Sequence, residues 1–198
     1  MRVLPRHLAG PGHADLKTIW PFPSDDGWHL HQGLEGMVFA ISPCARLWTR
    51  FAPKPEERGQ GTWSIGMDRV PFGPRAWEIT FAATTPAELL RDVHAELLDL
   101  YLEDRHGDQN HLFEDATAPH EVYSEPHWQA RFSAGAPTTL AAAFTASLIS
   151  TEPLHRAVKH IPFHTRRHLY AAPAGAPQPL NRPTPAIPPT GHTTGRTR

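Results

Sequence analysis

Two stretches of this chain, 51 positions apart, carry the same pattern. Residues 77–97 run from Trp77 through Phe81, Pro86, Leu89 and Val93 to Leu97, and residues 128–148 run from Trp128 through Phe132, Pro137, Leu140 and Phe144 to Leu148. Such self-similarity constrains the fold more than any local motif, because each copy makes one supersecondary unit that cannot bury its apolar side alone. Each copy opens with period-two alternation. Trp77, Ile79 and Phe81 alternate with Glu78 and Thr80, and Trp128, Ala130 and Phe132 alternate with Gln129 and Arg131, as in strands with one buried face. Helical spacing follows: Leu89, Leu90, Val93, Leu97 and Leu100 fall on one face, as do Leu140, Phe144 and Leu148. Thr85-Pro86 reads as a helix start, with the hydroxyl capping free amides, proline in the first turn and Glu88 facing the positive helix end. Ala136-Pro137 offers no such cap. The pattern predicts a strand feeding an amphipathic helix that lies back on the sheet, with Trp77 and Trp128 both buried beside their own helices.

The rest of the chain is read around this unit. Residues 1–26 form an irregular arm with a Gly10-Pro11-Gly12 turn. Residues 27–104 form a first β-β-β-β-α repeat, in which Met37–Ile41 and Arg46–Phe51 flank a Ser42-Pro43-Cys44-Ala45 turn. A long loop at 52–61 and a third strand at Thr62–Met67 follow, and then the Trp77 strand. Residues 105–165 hold an abbreviated second repeat, with room for one short strand near Glu121-Val122-Tyr123 before Trp128. A short helix is expected from Thr151 to His160. Residues 166–198 read as a disordered, proline-rich basic tail, removable from Ala171 onward without loss of stability. The fold class is α+β: an antiparallel meander backed by amphipathic helices, with an internal repeat whose second copy is incomplete.

Charge is segregated along the chain. All seven basic residues after Pro153 lie in a stretch without Asp or Glu, whereas the first 152 residues hold 12 basic and 20 acidic residues, a net −8. A single cysteine, Cys44, excludes a disulfide framework and a cysteine zinc cluster, and suits a cytoplasmic location. The N-terminus lacks the apolar segment of a signal peptide, and no apolar run is long enough to span a membrane.

Several blocks resemble the SPDY-domain proteins of streptomycetes, a domain of unknown function (DUF317) found in one or two copies in actinobacteria. These are Pro5-Arg6-His7-Leu8-Ala9-Gly10-Pro11-Gly12, Gly27-Trp28, Ser42-Pro43 with Arg46, and the two blocks Trp77–Pro86 and Trp128–Pro137. Ala143–Leu148 running on to Glu152-Pro153-Leu154-His155-Arg156 completes a resemblance over residues 1–163. Two features depart from the family: its Ser-Pro-Asp-Gly turn is Ser42-Pro43-Cys44-Ala45 here, and the second copy of that turn with its flanking strands is absent. The resemblance implies no known activity, cofactor or catalytic residue.

The candidate chemistry is sparse. His29-Leu30-His31 would put two rings on one face of a strand, but no third ligand accompanies them, and His160, His164 and His168 are interrupted by Pro162. No nucleophile lies in a catalytic signature, so neither catalysis nor a cofactor is expected. The sharper signal is a strand on which Arg46, Trp48 and Arg50 share one face, with Trp63 on the next strand. Aromatics beside basic groups on a sheet are the ingredients of single-stranded nucleic-acid binding. Arg156, Lys159, Arg166 and Arg167 are expected to add phosphate contacts. The alternative is a protein-interaction module, self-associating as a homo-oligomer through an open sheet edge.

Overall fold

The computed structural model describes residues 1–12, 16–54, 61–106, 112, 120–125 and 127–172. Residues 55–60 of the long loop, most of the stretch between Glu103 and Trp128, and residues 173–198 of the tail lie outside the described residues. In chain order the elements are β1 (Arg2–Leu4), α1 (Leu16–Ile19), β2 (His29–Gln32), β3 (Val38–Ile41), β4 (Leu47–Pro53), β5 (Gly61–Asp68) and β6 (Arg75–Ala82). They continue with α2 (Ala87–His106), β7 (Glu121–Glu125), β8 (Trp128–Phe132), α3 (Thr138–Ile149), β9 (Leu154–His155) and β10 (Tyr170–Ala172), linked in places by short 3-10 turns. The architecture is α+β. Seven antiparallel strands run in the order β2-β3-β4-β5-β6-β8-β7, and a small sheet runs β10-β1-β9. Five strands of the large sheet precede α2, one more than expected, because His29–Gln32 pairs with Val38–Ile41.

Alternation along each strand puts one apolar set on the helix side. Leu47 and Thr49 of β4, Trp63, Ile65 and Met67 of β5, and Trp77, Ile79 and Phe81 of β6 are all buried there. The α2 side chains at the expected helical spacing, Leu89, Leu90, Val93, Leu97 and Leu100, pack on that face. Phe144 of α3 meets Phe81 and Phe132. Trp77 and Trp128 are both buried; Trp77 Nε1 donates to Leu112 O at 3.2 Å and Trp128 Nε1 to His7 O at 2.8 Å. In the β6–β8 pairing Thr80 stands opposite Arg131, and Ile79 opposite Phe132.

The hairpin that lacks Asp-Gly closes by other means. Ala45 takes the left-handed conformation at φ 54°, its N–H donates to Ser42 O at 2.9 Å, and the Ser42 hydroxyl accepts from Leu47 N at 3.1 Å.

Four expectations are corrected. Thr85 does not cap α2: its buried hydroxyl has no hydrogen-bond partner, and the Ala87 amide instead donates to Pro11 O at 3.2 Å. The N-terminal arm is not irregular throughout, since Arg2–Leu4 is the central strand of the small sheet and Val3 is fully buried. Thr151–His160 is not a helix: Leu154–His155 pairs with β1, and only Val158–His160 turns, as a 3-10 segment. The tail does not begin at 166, because Tyr170–Ala172 pairs with β1. In the last two cases backbone pairing with a strand distant in sequence decides the conformation, which local propensity does not report.

Arg6 and Arg156 fasten this small sheet to α2. Arg6 reaches Asp92 at 3.4 Å and Glu152 at 2.5 Å, while Arg156 pairs with Glu88 through both nitrogens, one of them at 2.7 Å. Glu88 and Asp92 are four residues apart and thus on one side of the helix. Truncation after Leu169 removes β10 and is expected to lower the melting temperature by several degrees in thermal denaturation, whereas truncation after Ala172 is not.

His94 joins α2 to β4 from inside the core. Leu90 O can only accept, so Nδ1 carries the proton (2.7 Å), and Nε2 accepts from the Thr49 hydroxyl at 2.8 Å. Burial lowers its pKa from 6.5 to about 4, opposed by the bond to Leu90. The unfolded chain therefore takes up a proton that the folded chain refuses. The contribution of this site is complete above pH 6.5 and is lost as pH falls toward 4, about 3 kcal/mol in all. Urea denaturation of wild type and His94→Gln at pH 7 and pH 4.5 is expected to show a smaller acid loss in the variant.

Candidate nucleic-acid interface

Among the described residues, α2 and α3 cover one face of the large sheet and no helix covers the other. That open face is built from the alternate residues. Trp48 and Arg50 of β4 stand beside Ile41 and Phe39 of β3 on one side, and beside Gly66 and Ser64 of β5 on the other. Glu78 and Thr80 of β6 and Arg131 of β8 continue the rows. His31 stacks on Phe39, with ring centroids 4.9 Å apart and planes 19° apart. Ser64 and Gly66, outward residues of β5 beneath these rows, are small and are buried nonetheless; the Trp48 ring lies over Gly66.

Trp48 is the chief of these. Its indole lies flat across Gly66, where a Cβ would sit 2.8 Å from Cη2 and 2.9 Å from Cε2. The guanidinium of Arg75 covers the ring at 4.4 Å from its centroid, and that of Arg50 lies at 5.3 Å. Trp48 Nε1 donates to Asp68 Oδ1 at 3.3 Å. Arg75 bonds Glu78 at 2.7 Å and stands 3.9 Å from Asp68, and Arg50 stands 3.8 Å from Glu78. The result is a layered platform: strand backbone, indole, guanidinium. Each guanidinium has five N–H donors, so these carboxylates do not exhaust it.

Beside the platform is a cleft of about 240 Å³ between β3, Trp48 and the β5–β6 hairpin tip. At that tip Phe72 has φ 57°, a rare conformation for a bulky side chain, and is 80% exposed. Sequence reasoning passed over Arg75, Asp68 and Phe72. Their places depend on the hairpin tip and on the register shift between Met67 and Asp68; the local sequence signal for the tip is the turn-forming run Val70-Pro71-Phe72-Gly73-Pro74.

The sequence-expected residues separate into two groups. Trp48 and Arg50 come together on the open face. Arg46 stands at its margin, its Nε donating to Asp68 O at 3.1 Å. Trp63 is 3% exposed on the opposite face, packed against Phe51 at 4.7 Å, and cannot stack on a ligand; the alternation that exposes Trp48 opposite Gly66 turns Trp63, three residues earlier on β5, inward. Arg156 is 6% exposed and held by Glu88 on the helical side, so it is a structural cation. Lys159, Arg166 and Arg167 are exposed on that same C-terminal segment, away from Trp48; Arg166 donates to Ile161 O at 3.2 Å. Of the histidines, His29 and His31 do share a face, with centroids 6.1 Å apart. Among the described residues no three His, Cys, Asp or Glu side chains are grouped as a metal ion requires, and no helix is long and apolar enough to cross a membrane.

Residues 41–103 match the family SPDY, described as a domain of unknown function (DUF317). The matched stretch runs from the end of β3 into the last turn of α2, and it contains Trp48, Gly66, Asp68, Arg75 and His94. No curated protein matches the chain. No solved structure matches it.

Gly66→Val is expected to lift the Trp48 ring from the sheet. Acrylamide quenching of the fluorescence then rises relative to a Trp48→Phe control, and stability falls by about 1–3 kcal/mol, as for other overpacked sites. Unchanged quenching would remove the flat seat of the indole.

Proposed function

We propose that the open sheet face is a non-catalytic surface for single-stranded DNA, acting in the cytoplasm. The observation that carries this reading is the Arg75–Trp48–Gly66 stack on an uncovered sheet, flanked by Arg50 and Arg131. A base finds a flat, polarizable plane in the guanidinium backed by indole, and phosphates find arginines elsewhere on the same face. The reading differs from the sequence expectation in three respects. Both faces of Trp48 are occupied, so the base stacks on Arg75 above Trp48 and not on the indole itself. Trp63 is buried on the opposite face and takes no part. The basic C-terminal segment adds no contacts in this reading, since Arg156 is spent on Glu88 and Lys159, Arg166 and Arg167 lie away from Trp48.

The second repeat enters the same proposal. Positions 80 and 131 are equivalent under the 51-residue offset, and they are the pair that stand opposite each other between β6 and β8. A local two-fold axis through that pair would relate β6–α2 to β8–α3, making the second unit an abbreviated copy that widens the platform by Arg131.

The rival reading is self-association through an open edge. It draws on β2, whose four residues are all exposed. The other edge, β7, argues against it: antiparallel self-pairing centred on Tyr123 sets Glu121 against Glu125.

Salt titrations of binding separate stacking from charge. Arg50→Ala with Arg131→Ala is expected to flatten the slope of log K against log salt by about 0.7 for each phosphate that is no longer neutralised. Trp48→Ala, which removes the support beneath Arg75, is expected to cost about 1–3 kcal/mol of affinity with little change in slope. If Trp48→Ala binds as wild type does, the platform reading fails. If no oligonucleotide binds near physiological salt, self-association leads, and light scattering on the full chain tests it.

A further inference from the structure

We propose that the cleft beside Trp48 holds one unstacked guanine of the bound strand, read by Asp68. This rests on the open face being a single-strand surface and adds a base preference to it.

The cleft is below the range of roughly 300–1,000 Å³ that holds drug-sized ligands, so its occupant is a single ring system and not a stacked pair. Its walls are apolar and partly aromatic: Phe39 and Ile41 from β3, Trp48 from β4, and Phe72 from the hairpin tip. Phe39 and Phe72 take a flat heterocycle by its faces, while Trp48, whose own faces are occupied, closes the cleft from β4. Phe72 is a large apolar side chain held on a strained backbone at the mouth of the cleft, and strain of this kind persists where the surrounding structure or a ligand fixes it.

The polar content selects the base. Asp68 lines the cleft and is only 9% exposed, yet its side-chain contacts, Trp48 Nε1 at 3.3 Å and Arg75 Nε at 3.9 Å, both end on Oδ1. A carboxylate has about four acceptor sites on two oxygens, so Oδ2 stands outside both contacts. Guanine alone among the DNA bases presents two adjacent donors, N1–H and the 2-amino group, on its Watson–Crick edge. Adenine and cytosine each place a ring-nitrogen acceptor beside their amino group, and thymine flanks its one N–H with carbonyls; a carboxylate repels all of these acceptors. Unstacked bases in single strands are read on this edge while their faces rest on aromatic or guanidinium planes. Arg50 also lines the cleft, where it can meet the phosphate of the same nucleotide.

Fluorescence anisotropy on the full chain at physiological salt tests this with three oligonucleotides: a twelve-residue oligothymidine, the same with one central guanine, and the same with inosine in that place. The guanine strand is expected to bind about tenfold tighter than oligothymidine, within the span of one good bidentate pair. Inosine, which lacks the 2-amino group, is expected to lose most of that gain. Asp68→Asn keeps an acceptor for Trp48 Nε1; it is expected to bring the ratio of guanine-strand to oligothymidine affinity, both measured on the variant, down to about one. Equal binding of all three strands overturns the guanine assignment and leaves the single-strand reading standing. A preference for guanine that inosine shares, or that survives Asp68→Asn, overturns the role of Asp68. Absence of binding to any of them overturns both readings together.

Discussion

The structure depends on α2 being held on all sides. Its apolar face closes the sheet from β4 to β6, and His94 fixes its rotation by bonding inward to Thr49. Its first turn is capped by Pro11 O, and its flank takes Arg156 on Glu88 and Arg6 on Asp92. Ser147 of α3 shares Asp92 at 2.5 Å. The N-terminal strand and the segment after α3 that form the small sheet, the second helix and the large sheet thus meet on one element. Breaking a buried ion pair of this kind strands a charge and costs far more than the pair contributes net, which is why Arg6 and Arg156 behave as fastenings.

Among the described residues this arrangement leaves the other sheet face without a helix. With α2 and α3 on one side, the outward residues of β3–β6 pack with one another. Small residues on β5 let Trp48 lie down, and the guanidiniums of Arg50 and Arg75 rest on it while shared between Asp68 and Glu78. The outcome is a preorganised, weakly charged platform and not a dense basic patch.

The stretch that matches the SPDY family ends in the last turn of α2, and it includes Trp48, Gly66 and Arg75 of the platform and most of the inner surface of the helix. The arginine fastenings come from outside it, from the N-terminal arm and from the segment after α3. Platform and clasp are therefore separate parts of the chain, one defining a surface and the other tying the N-terminal arm and the segment after α3 to the helix behind it.

The repeated strand-helix pattern is legible in residue order alone, because burial on one side imposes period two on a strand and 3.6 on a helix. The alternation of Leu47, Thr49 and Phe51 with Trp48 and Arg50 likewise puts the candidate pair on one face, since successive side chains of a strand point to opposite sides. Other features have no local signature. Trp63 turns inward because register sets it opposite Phe51 on the core side, and aromatics near arginines in sequence carry no information about register. Val3 lies at the centre of a sheet, and residues 170–172 are a strand, because each pairs with a segment more than 150 positions away. Thr85-Pro86 has the sequence of a cap, yet the acceptor comes from Pro11, which only tertiary packing brings there. Arg156 carries the same charge in either account. Its neighbour Glu88, 68 positions earlier in the chain, makes it a fastening and not a ligand contact.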